Sequence, residues 1–260
     1  MTYHGLTLEY LGRVARITIQ SPPANILTAS LIESLSQVVQ HLDENQDLRA
    51  VVIASGLEKI FISGADINQF VQWETEAQGI AGTKPGAELY ARIASFRVPV
   101  ICALSGMAFG GGLELALCCD FRIISRRAKV GLPESGLGIV PGYGATQRLP
   151  RLIGPSMAKR MMFTGEPVSG EEAFRIGLAE VLTDPENCLA EAMRLAHLIA
   201  EKAPMAIQAE KRCVEYGAEH SHSEGLEYEL GAVGALCATE DKLEGARAFL
   251  EKRAPKFNNR

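Results

Sequence analysis

The sequence predicts an α/β protein whose C-terminal quarter is helical. Three short apolar segments, beginning at Ala50, Val100 and Phe121, are each followed by small residues that predict a turn. Such segments, apolar on both faces and joined by helical connections, are typical of parallel strands in an α/β core. After Pro185 the strand patterns end and four helical patterns follow. The chain of 260 residues with a 47% apolar share is long enough for a sizeable core.

The first third of the chain predicts a hairpin and a helix. Residues 6–10 and 14–20 alternate apolar and polar, as half-buried strands do, and Gly12 predicts the turn between them. Ser30 and Glu33 have the spacing of a capping box, so we predict a helix that begins there and ends near residues 43–45. Residues 73–86 are polar and without periodicity, which predicts a mobile surface segment.

The C-terminal quarter predicts four helices, with proline at two starts and Ser or Thr near the others. We expect them over residues 185–202, 204–217, 223–238 and 239–253. They either cover the core of their own chain or contact another subunit, and the sequence leaves both possibilities open. We therefore divide the chain into a core over residues 1–195 and a helical region over residues 196–260.

Charge and cysteine usage argue against several classes of protein. The net charge of −5 and the scattered basic residues give no general attraction for nucleic acid or for an anionic membrane. The Lys- and Arg-rich residues 242–256 could bind phosphates, but a solvated helix face is the more common reason for such a segment. Six cysteines form no C-x-x-C motif and no metal-ligand spacing with histidine, so we predict buried thiols and no metal site. With no signal peptide and no apolar run of membrane-spanning length, we expect a cytoplasmic protein.

The most informative segment is residues 105–120, in which Gly110, Gly111 and Gly112 stand between a strand and a helix. Three glycines cost backbone entropy and contribute no side-chain packing. The first N–H groups of a helix have no internal partner and can bind an oxyanion. For such a run alone, a tight strand-to-helix crossing that admits only glycine is the simpler explanation.

Two glutamates make a catalytic interpretation stronger. Glu114 lies in the first turn of the predicted helix, where the helix dipole by itself favours a carboxylate. Glu134 lies in an irregular, glycine-containing loop that follows Pro133. Residues 61–67 offer a second turn of small residues, at which the N–H of Ala65 could face a ligand, although for this turn alone a helix start capped near Asp66 is the simpler explanation.

Together these motifs resemble the crotonase superfamily and, within it, the enoyl-CoA hydratases. The resemblance implies a crotonase-like ββα spiral core, an α/β fold, with a C-terminal helical layer that serves trimerisation. It spans nearly the whole chain in the family's order. The motifs that carry it are Pro23-Ala-Asn25, residues 61–67, residues 106–120, Pro133-Glu134, Gly138-Ile-Val-Pro-Gly142, Thr146-Gln-Arg-Leu149, Leu152-Ile-Gly154, Thr164-Gly165 and residues 248–253.

The resemblance also implies roles for individual residues. The N–H groups of Ala65 and Gly111 would form the oxyanion hole for a thioester oxygen. Glu134 would be the main general acid/base, and Glu114 would orient the attacking water. Contacts to coenzyme A would come from Ser63, Gly64, Asp66, Ile67 and Gly110 and, from a neighbouring subunit, from Phe249 and Lys252.

The implied reaction is the reversible addition of water to a 2-enoyl-CoA, giving a 3-hydroxyacyl-CoA, as in fatty acid metabolism. Coenzyme A is part of the substrate, so the resemblance implies no separate cofactor. The implied partners are the acyl-CoA thioester and copies of the chain in a homotrimer or homohexamer, with no nucleic acid and no membrane.

Departures from the family pattern are few. Ser63 replaces a more usual alanine, and Tyr143-Gly-Ala145 replaces a more glycine-rich run. Cys237 stands where some relatives carry an aromatic residue near the acyl tail, which leaves the chain-length preference open.

Four alternatives compete with this interpretation. An enoyl-CoA isomerase of the same fold can work with one carboxylate, so the presence of both glutamates favours a hydratase. Some hydratase relatives bind RNA, but the acidic balance argues against this. Gly142-Tyr-Gly144 begins a dinucleotide-binding pattern without its third glycine, and no G-x-S-x-G supports a serine hydrolase.

Overall fold

In the computed structural model, which describes residues 3–260, ten strands form two sheets. In chain order the strands are β1 (Leu6–Leu11), β2 (Val14–Ile19), β3 (Ala50–Ser55), β4 (Ile60–Ile62), β5 (Val100–Leu104), β6 (Met107–Phe109), β7 (Phe121–Ser125), β8 (Lys129–Gly131), β9 (Val168–Ser169) and β10 (Val181–Thr183).

The larger sheet has the strand order β1-β2-β3-β5-β7-β10. Strands β1 and β2 are antiparallel, as the predicted hairpin requires, and every other pair of neighbours in this sheet is parallel. The predicted parallel pairing of the three apolar segments, now β3, β5 and β7, is thus confirmed. Their residues are almost all buried because helices or the second sheet cover both faces.

The smaller sheet, in the order β4-β6-β8-β9, was not predicted. Its strands have two or three residues each, which is too short for a pattern of alternation to be recognised. This sheet matters for function because β4, β6 and β8 each lead directly into a segment with a predicted site residue.

Eleven α-helices complete the described part of the chain. They are α1 (Ala29–Glu44), α2 (Ile67–Phe70), α3 (Glu76–Ala94), α4 (Gly111–Cys118), α5 (Ala145–Ile153), α6 (Pro155–Thr164), α7 (Gly170–Arg175), α8 (Cys188–Ala200), α9 (Pro204–Glu219), α10 (His222–Cys237) and α11 (Glu240–Leu250).

Two helix predictions need correction. Helix α1 begins at Ala29, one residue before the predicted start, because the hydroxyl of Thr28 accepts the N–H of Leu31 and makes Thr28 the N-cap. The prediction of an irregular segment over residues 73–86 is wrong for most of its length. Helix α3 begins at Glu76 behind a capping box formed by Thr75 and Gln78. Its first half lines a cavity instead of the core, so it has no apolar stripe that a sequence pattern could reveal.

The C-terminal helices lie close to their predicted positions, but they form two layers. Helix α8 packs on β3, β5 and β7, and its Cys188, Ala192 and Ala196 are fully buried there. Helices α9, α10 and α11 pack on one another, and α10 has no buried residue. The proposed division of the chain at residue 195 falls within α8, whereas the change in packing comes after it.

Over residues 3–260 no helix is both long enough and apolar enough to cross a membrane. The same residues contain no cluster of three or more His, Cys, Asp or Glu side chains with the geometry of a metal site.

Candidate active site

A cavity of about 970 Å³ brings most of the predicted site residues together. Its walls are formed by the segment after β4, the start of α4, the turn after β8 and one face of α3. The predicted residues in these walls are Ser63, Gly64, Ala65, Ile67, Gly110, Gly111, Glu114 and Glu134.

Three predicted residues do not line this cavity. Asp66 caps α2, where its carboxylate accepts the N–H of Asn68 at 3.0 Å. Phe249 lies on α11 with 83% of its surface exposed, and Lys252 follows the end of that helix. The resemblance assigns Phe249 and Lys252 to the site of a neighbouring subunit, and that assignment stays a prediction.

Gly111 is the first residue of α4, and its N–H therefore has no acceptor within its own helix. The preceding Gly110 has φ +51°, a conformation that favours glycine. A Cβ on Gly110 would lie 2.8 Å from Glu134 Oε1, and a Cβ on Gly111 would lie 2.7 Å from Leu27 Cδ1. The glycine run therefore allows the tight crossing from strand to helix, and it also leaves the Gly111 N–H without a partner in the helix.

The second amide is that of Ala65, which forms an isolated parallel bridge with Leu27. Leu27 donates its N–H to Gly64 O at 2.9 Å and accepts the N–H of Asp66 at 3.2 Å. In a parallel pairing of this kind the central residue directs its own N–H to the opposite side. The Ala65 N–H therefore points away from Leu27, and Ala65 lines the cavity.

Glu114 is 2% exposed, and one of its oxygens holds the start of α5. Its Oε1 accepts the main-chain N–H groups of Tyr143 at 2.8 Å and Ala145 at 3.0 Å. Because the N-cap of α5 is Gly144, which has no side chain, Glu114 supplies the missing cap. Burial raises the pKa of Glu114, and these N–H bonds oppose the shift. Neither of these two hydrogen bonds uses Oε2.

Glu134 begins a short 3-10 turn after β8 and is 8% exposed. Its Oε2 is buried and has no hydrogen-bond partner among the described residues. Burial raises the pKa of Glu134 to about 7. A hydrogen bond from the main-chain N–H of Glu134 itself opposes this increase, and the negative charge of Glu114 adds to it. Near neutral pH this carboxyl group is therefore present in both protonation states.

The rest of the cavity wall is largely apolar and suits a hydrocarbon chain. The sequence did not single out most of this wall, because its residues come from separate segments: α2 and the turn after it, the end of β6, the loop after β8, and helix α3. The spacing of Thr75 and Gln78 was a usable signal for that helix. Tyr143 was noted only as a departure from the family pattern. The apolar and aromatic residues of the wall are Phe70, Trp73, Ile80, Ala87, Phe109, Leu137, Ile139, Val140 and Tyr143.

The arrangement combines two open main-chain amides with two buried carboxyl groups in one apolar cavity. Amides held in place in this way stabilise a negatively charged oxygen more than a neutral carbonyl. A carboxyl group with a pKa near neutrality can both donate and accept a proton. The site is therefore suited to reactions that pass through an enolate.

Comparison with known proteins gives matches over nearly the whole chain. The family model described as enoyl-CoA hydratase/isomerase matches residues 9–260. A crotonyl-CoA hydratase from Syntrophomonas wolfei is 38% identical over 258 residues, covering 99% of each chain. A short-chain-enoyl-CoA hydratase from Clostridium acetobutylicum is 37% identical over the full length of both chains. The crystal structure of an enoyl-CoA hydratase from Bacillus anthracis superposes with a TM-score of 0.95 at 34% identity, covering 99% of this chain and all of the other. This superposition confirms the fold that the resemblance predicted.

Proposed function

Because the chain belongs to the enoyl-CoA hydratase/isomerase family, we propose that it is an enoyl-CoA hydratase, which adds water reversibly across the α,β double bond of a 2-enoyl-CoA. The observation that carries the proposal is that Ala65, Gly111, Glu114 and Glu134 line the same cavity. The product is a 3-hydroxyacyl-CoA, and coenzyme A enters and leaves as part of the substrate.

The amides act on the thioester carbonyl. The N–H groups of Ala65 and Gly111 donate to its oxygen, which becomes more negative as the enolate forms. Each such donor contributes about 3 kcal/mol to the stability of a transition state of this type. The fixed start of α4 and the Leu27 bridge support the proposal, because they hold both amides before the substrate binds.

The carboxyl groups act on water and on the α-carbon. Glu114 orients the water and accepts its proton as the water oxygen bonds to the β-carbon. Protonated Glu134 gives its proton to the α-carbon, and the enolate collapses to the thioester. The proton on Glu114 then returns to Glu134, so the reaction consumes one water and no net proton.

An isomerase of the same fold is the second candidate. Such an enzyme moves a proton between two carbons and needs one carboxylate. The presence of both Glu114 and Glu134 on the cavity favours hydration, since only water addition needs a second carboxylate to hold the water.

We further propose that the chain assembles as a homotrimer or as a dimer of trimers. Exposed apolar residues on α10 support this assembly, because the rest of the described chain leaves them uncovered. Phe249 and Lys252 would then contact the coenzyme A bound by a neighbouring copy.

A cytoplasmic location is also a proposal, and it is supported by the six cysteines, all of which are free thiols. An RNA-binding role has no such support, since the net charge is −5. A filter-binding titration at physiological salt tests the RNA-binding role, and a submicromolar affinity for RNA would support it.

The test of the proposed function is an absorbance assay, since loss of the conjugated double bond of crotonyl-CoA reports hydration directly. We expect turnover by the wild-type protein, and a loss of roughly a hundredfold or more for both Glu134→Gln and Glu114→Gln. Longer 2-enoyl-CoA substrates in the same assay define the chain-length preference. Double-bond migration without water uptake would support the isomerase instead, and near-normal turnover by both variants would refute the assigned roles.

A further inference from the structure

We infer that Tyr90 is a positioning residue that holds the Gly111 amide in the direction of the thioester oxygen. The inference rests on the proposed hydration reaction. Tyr90 lies on α3 with no exposed surface, and its hydroxyl donates to the carbonyl oxygen of Gly111 at 2.8 Å. It links the helix that forms one cavity wall to the residue that supplies an oxyanion donor.

The hydrogen bond from Tyr90 is additional to those that α4 needs. In an α-helix beginning at Gly111, the Gly111 carbonyl already accepts the N–H of Leu115. Satisfying this carbonyl therefore does not require a tyrosine. Burial raises the pKa of Tyr90 well above its usual range, so the hydroxyl stays protonated and remains a donor.

The Gly111 amide needs external support because Gly110, Gly111 and Gly112 have no side chains to restrict the backbone. Gly110 donates its N–H to Gly131 O at 3.0 Å and accepts the N–H of Glu114 at 3.0 Å. Tyr90 fixes the next carbonyl along the chain. Both peptide groups that flank the Gly111 Cα are thus held, and the Gly111 N–H is left for the ligand.

Tyr90 is itself held by a contact with the other half of the site. Its ring meets the ring of Tyr143 edge to face, with centroids 4.9 Å apart and planes at 61°. The main-chain N–H of Tyr143 donates to Glu114 Oε1. The Tyr143 ring packs against Gly86 of α3, where a Cβ would come within 2.5 Å of it. Tyr90 therefore sits between the amide donor and the segment bound to Glu114.

The variant Tyr90→Phe removes the hydroxyl and keeps the ring. We expect the kcat for crotonyl-CoA to fall by roughly three- to tenfold with KM within about twofold, because the amide favours the enolate more than the bound thioester. The pH dependence of kcat/KM should not change, since neither glutamate is touched. The matched control is Tyr10→Phe on β1, a tyrosine that is 44% exposed and distant in sequence from every cavity residue.

A spectroscopic readout separates positioning from general stability. Bound cinnamoyl-CoA should absorb at longer wavelength than the free thioester, because hydrogen bonds to its carbonyl oxygen polarise the conjugated system. We expect a smaller shift in Tyr90→Phe and the full wild-type shift in Tyr10→Phe. Glu134→Gln should lose turnover and keep the shift, because it leaves both amide donors in place.

The outcomes distinguish this inference from the proposed function. A wild-type protein that fails to hydrate crotonyl-CoA contradicts the function, whereas the absorbance shift still tests Tyr90. Wild-type kcat and a full shift in Tyr90→Phe would overturn the inference. If Tyr90→Phe does not fold, Tyr90→Met, which has a smaller and more flexible side chain without a hydroxyl donor, is measured in its place, with the same expectation.

Discussion

At the scale of single residues, the environment of Glu134 favours its protonated form. Its Oε2 is buried without a hydrogen-bond partner among the described residues, and Glu114 lies near enough to add repulsion between charges. Glu114 differs, because its Oε1 accepts two main-chain N–H groups that favour the ionised form. Two glutamates are thereby suited to different steps: Glu134 to donate a proton and Glu114 to hold water.

The pKa of Glu134 predicts the pH dependence of catalysis. If protonated Glu134 supplies the α-proton, kcat/KM for hydration should fall about tenfold per pH unit well above pH 7. It should also fall at acid pH, where Glu114, whose pKa is raised by burial, becomes protonated and no longer accepts the proton of water. Dehydration must follow the same profile, because a reaction without net proton uptake has a pH-independent equilibrium constant.

Initial rates between pH 5 and 9 measure this profile. Glu215→Gln is the matched control, since burial also raises the pKa of Glu215 on α9 but this residue does not line the cavity. Activity that increases through pH 7 would indicate that the ionised form of Glu134 is the active one.

The same carboxyl group should reduce stability at alkaline pH. Its pKa is about 7 in the folded protein and about 4.3 in an unfolded chain. Its stabilising contribution is therefore present below pH 4 and is lost as pH rises through 7. We expect Glu134→Gln to be more stable than the wild type by about 1–2 kcal/mol at pH 8, a figure reduced for partial solvent screening. Urea unfolding at pH 8 and pH 4 measures the difference, and an equal effect at both pH values would contradict this explanation.

At the scale of elements, α4 is fixed at both ends. Its first turn carries the open amide of Gly111 and the carboxylate of Glu114. At its last turn Arg122, which is 2% exposed, donates to Cys119 O at 2.9 Å and to Ala116 O at 3.4 Å. A buried cation at this end complements the helix dipole and satisfies carbonyls that have no partner within the helix.

Replacing Arg122 should therefore affect both stability and catalysis. Its guanidinium also donates to Leu178 O at 2.8 Å and pairs with Glu180. We expect Arg122→Met to destabilise the protein by about 3 kcal/mol, because several buried carbonyls lose their donor. We also expect a lower kcat, since α4, which carries Gly111 and Glu114, becomes less well held at its last turn.

Thermal and urea unfolding measure the first effect, and the crotonyl-CoA assay measures the second. Arg175→Met is the control, because Arg175 forms an exposed ion pair with Glu172 three residues away and should leave the unfolding midpoint unchanged. A similar loss in both variants would argue against a special role for Arg122.

At the scale of the whole molecule, the C-terminal helices leave apolar surface uncovered. On α10, Leu230 is 73% exposed, Val233 is 54% exposed and Leu226 is 53% exposed. Such a cluster on a helix without buried residues is typical of an interface between subunits. It supports the proposal that α9 to α11 contact other copies of the chain.

A charge within this surface should prevent assembly. We expect Leu230→Glu to convert the oligomer into a monomer, because an interface would have to bury an unpaired carboxylate. Light scattering at several concentrations measures the mass. Leu11→Glu is the control, since Leu11 is 37% exposed at the β1–β2 turn, away from α10. A wild-type protein that is a fully active monomer when dilute would contradict the proposed assembly.

The sequence by itself determined the local order of the molecule. The hairpin, the three parallel strands and the C-terminal helices each have a pattern of apolar and polar residues long enough to be recognised. The spaced motifs identified the family. The resemblance that these motifs carry selected Ala65, Gly111, Glu114 and Glu134, whereas each motif taken alone had a simpler structural explanation.

Only the tertiary structure decided how these residues meet. The second sheet consists of strands too short for periodicity, and α3 faces the cavity without an apolar stripe. The bond from Tyr90 to Gly111 and the cap that Glu114 provides for α5 join residues 21 to 31 positions apart. Such contacts depend on which segments pack together, and no local pattern of residues encodes the direction of an amide or the partner of a buried oxygen.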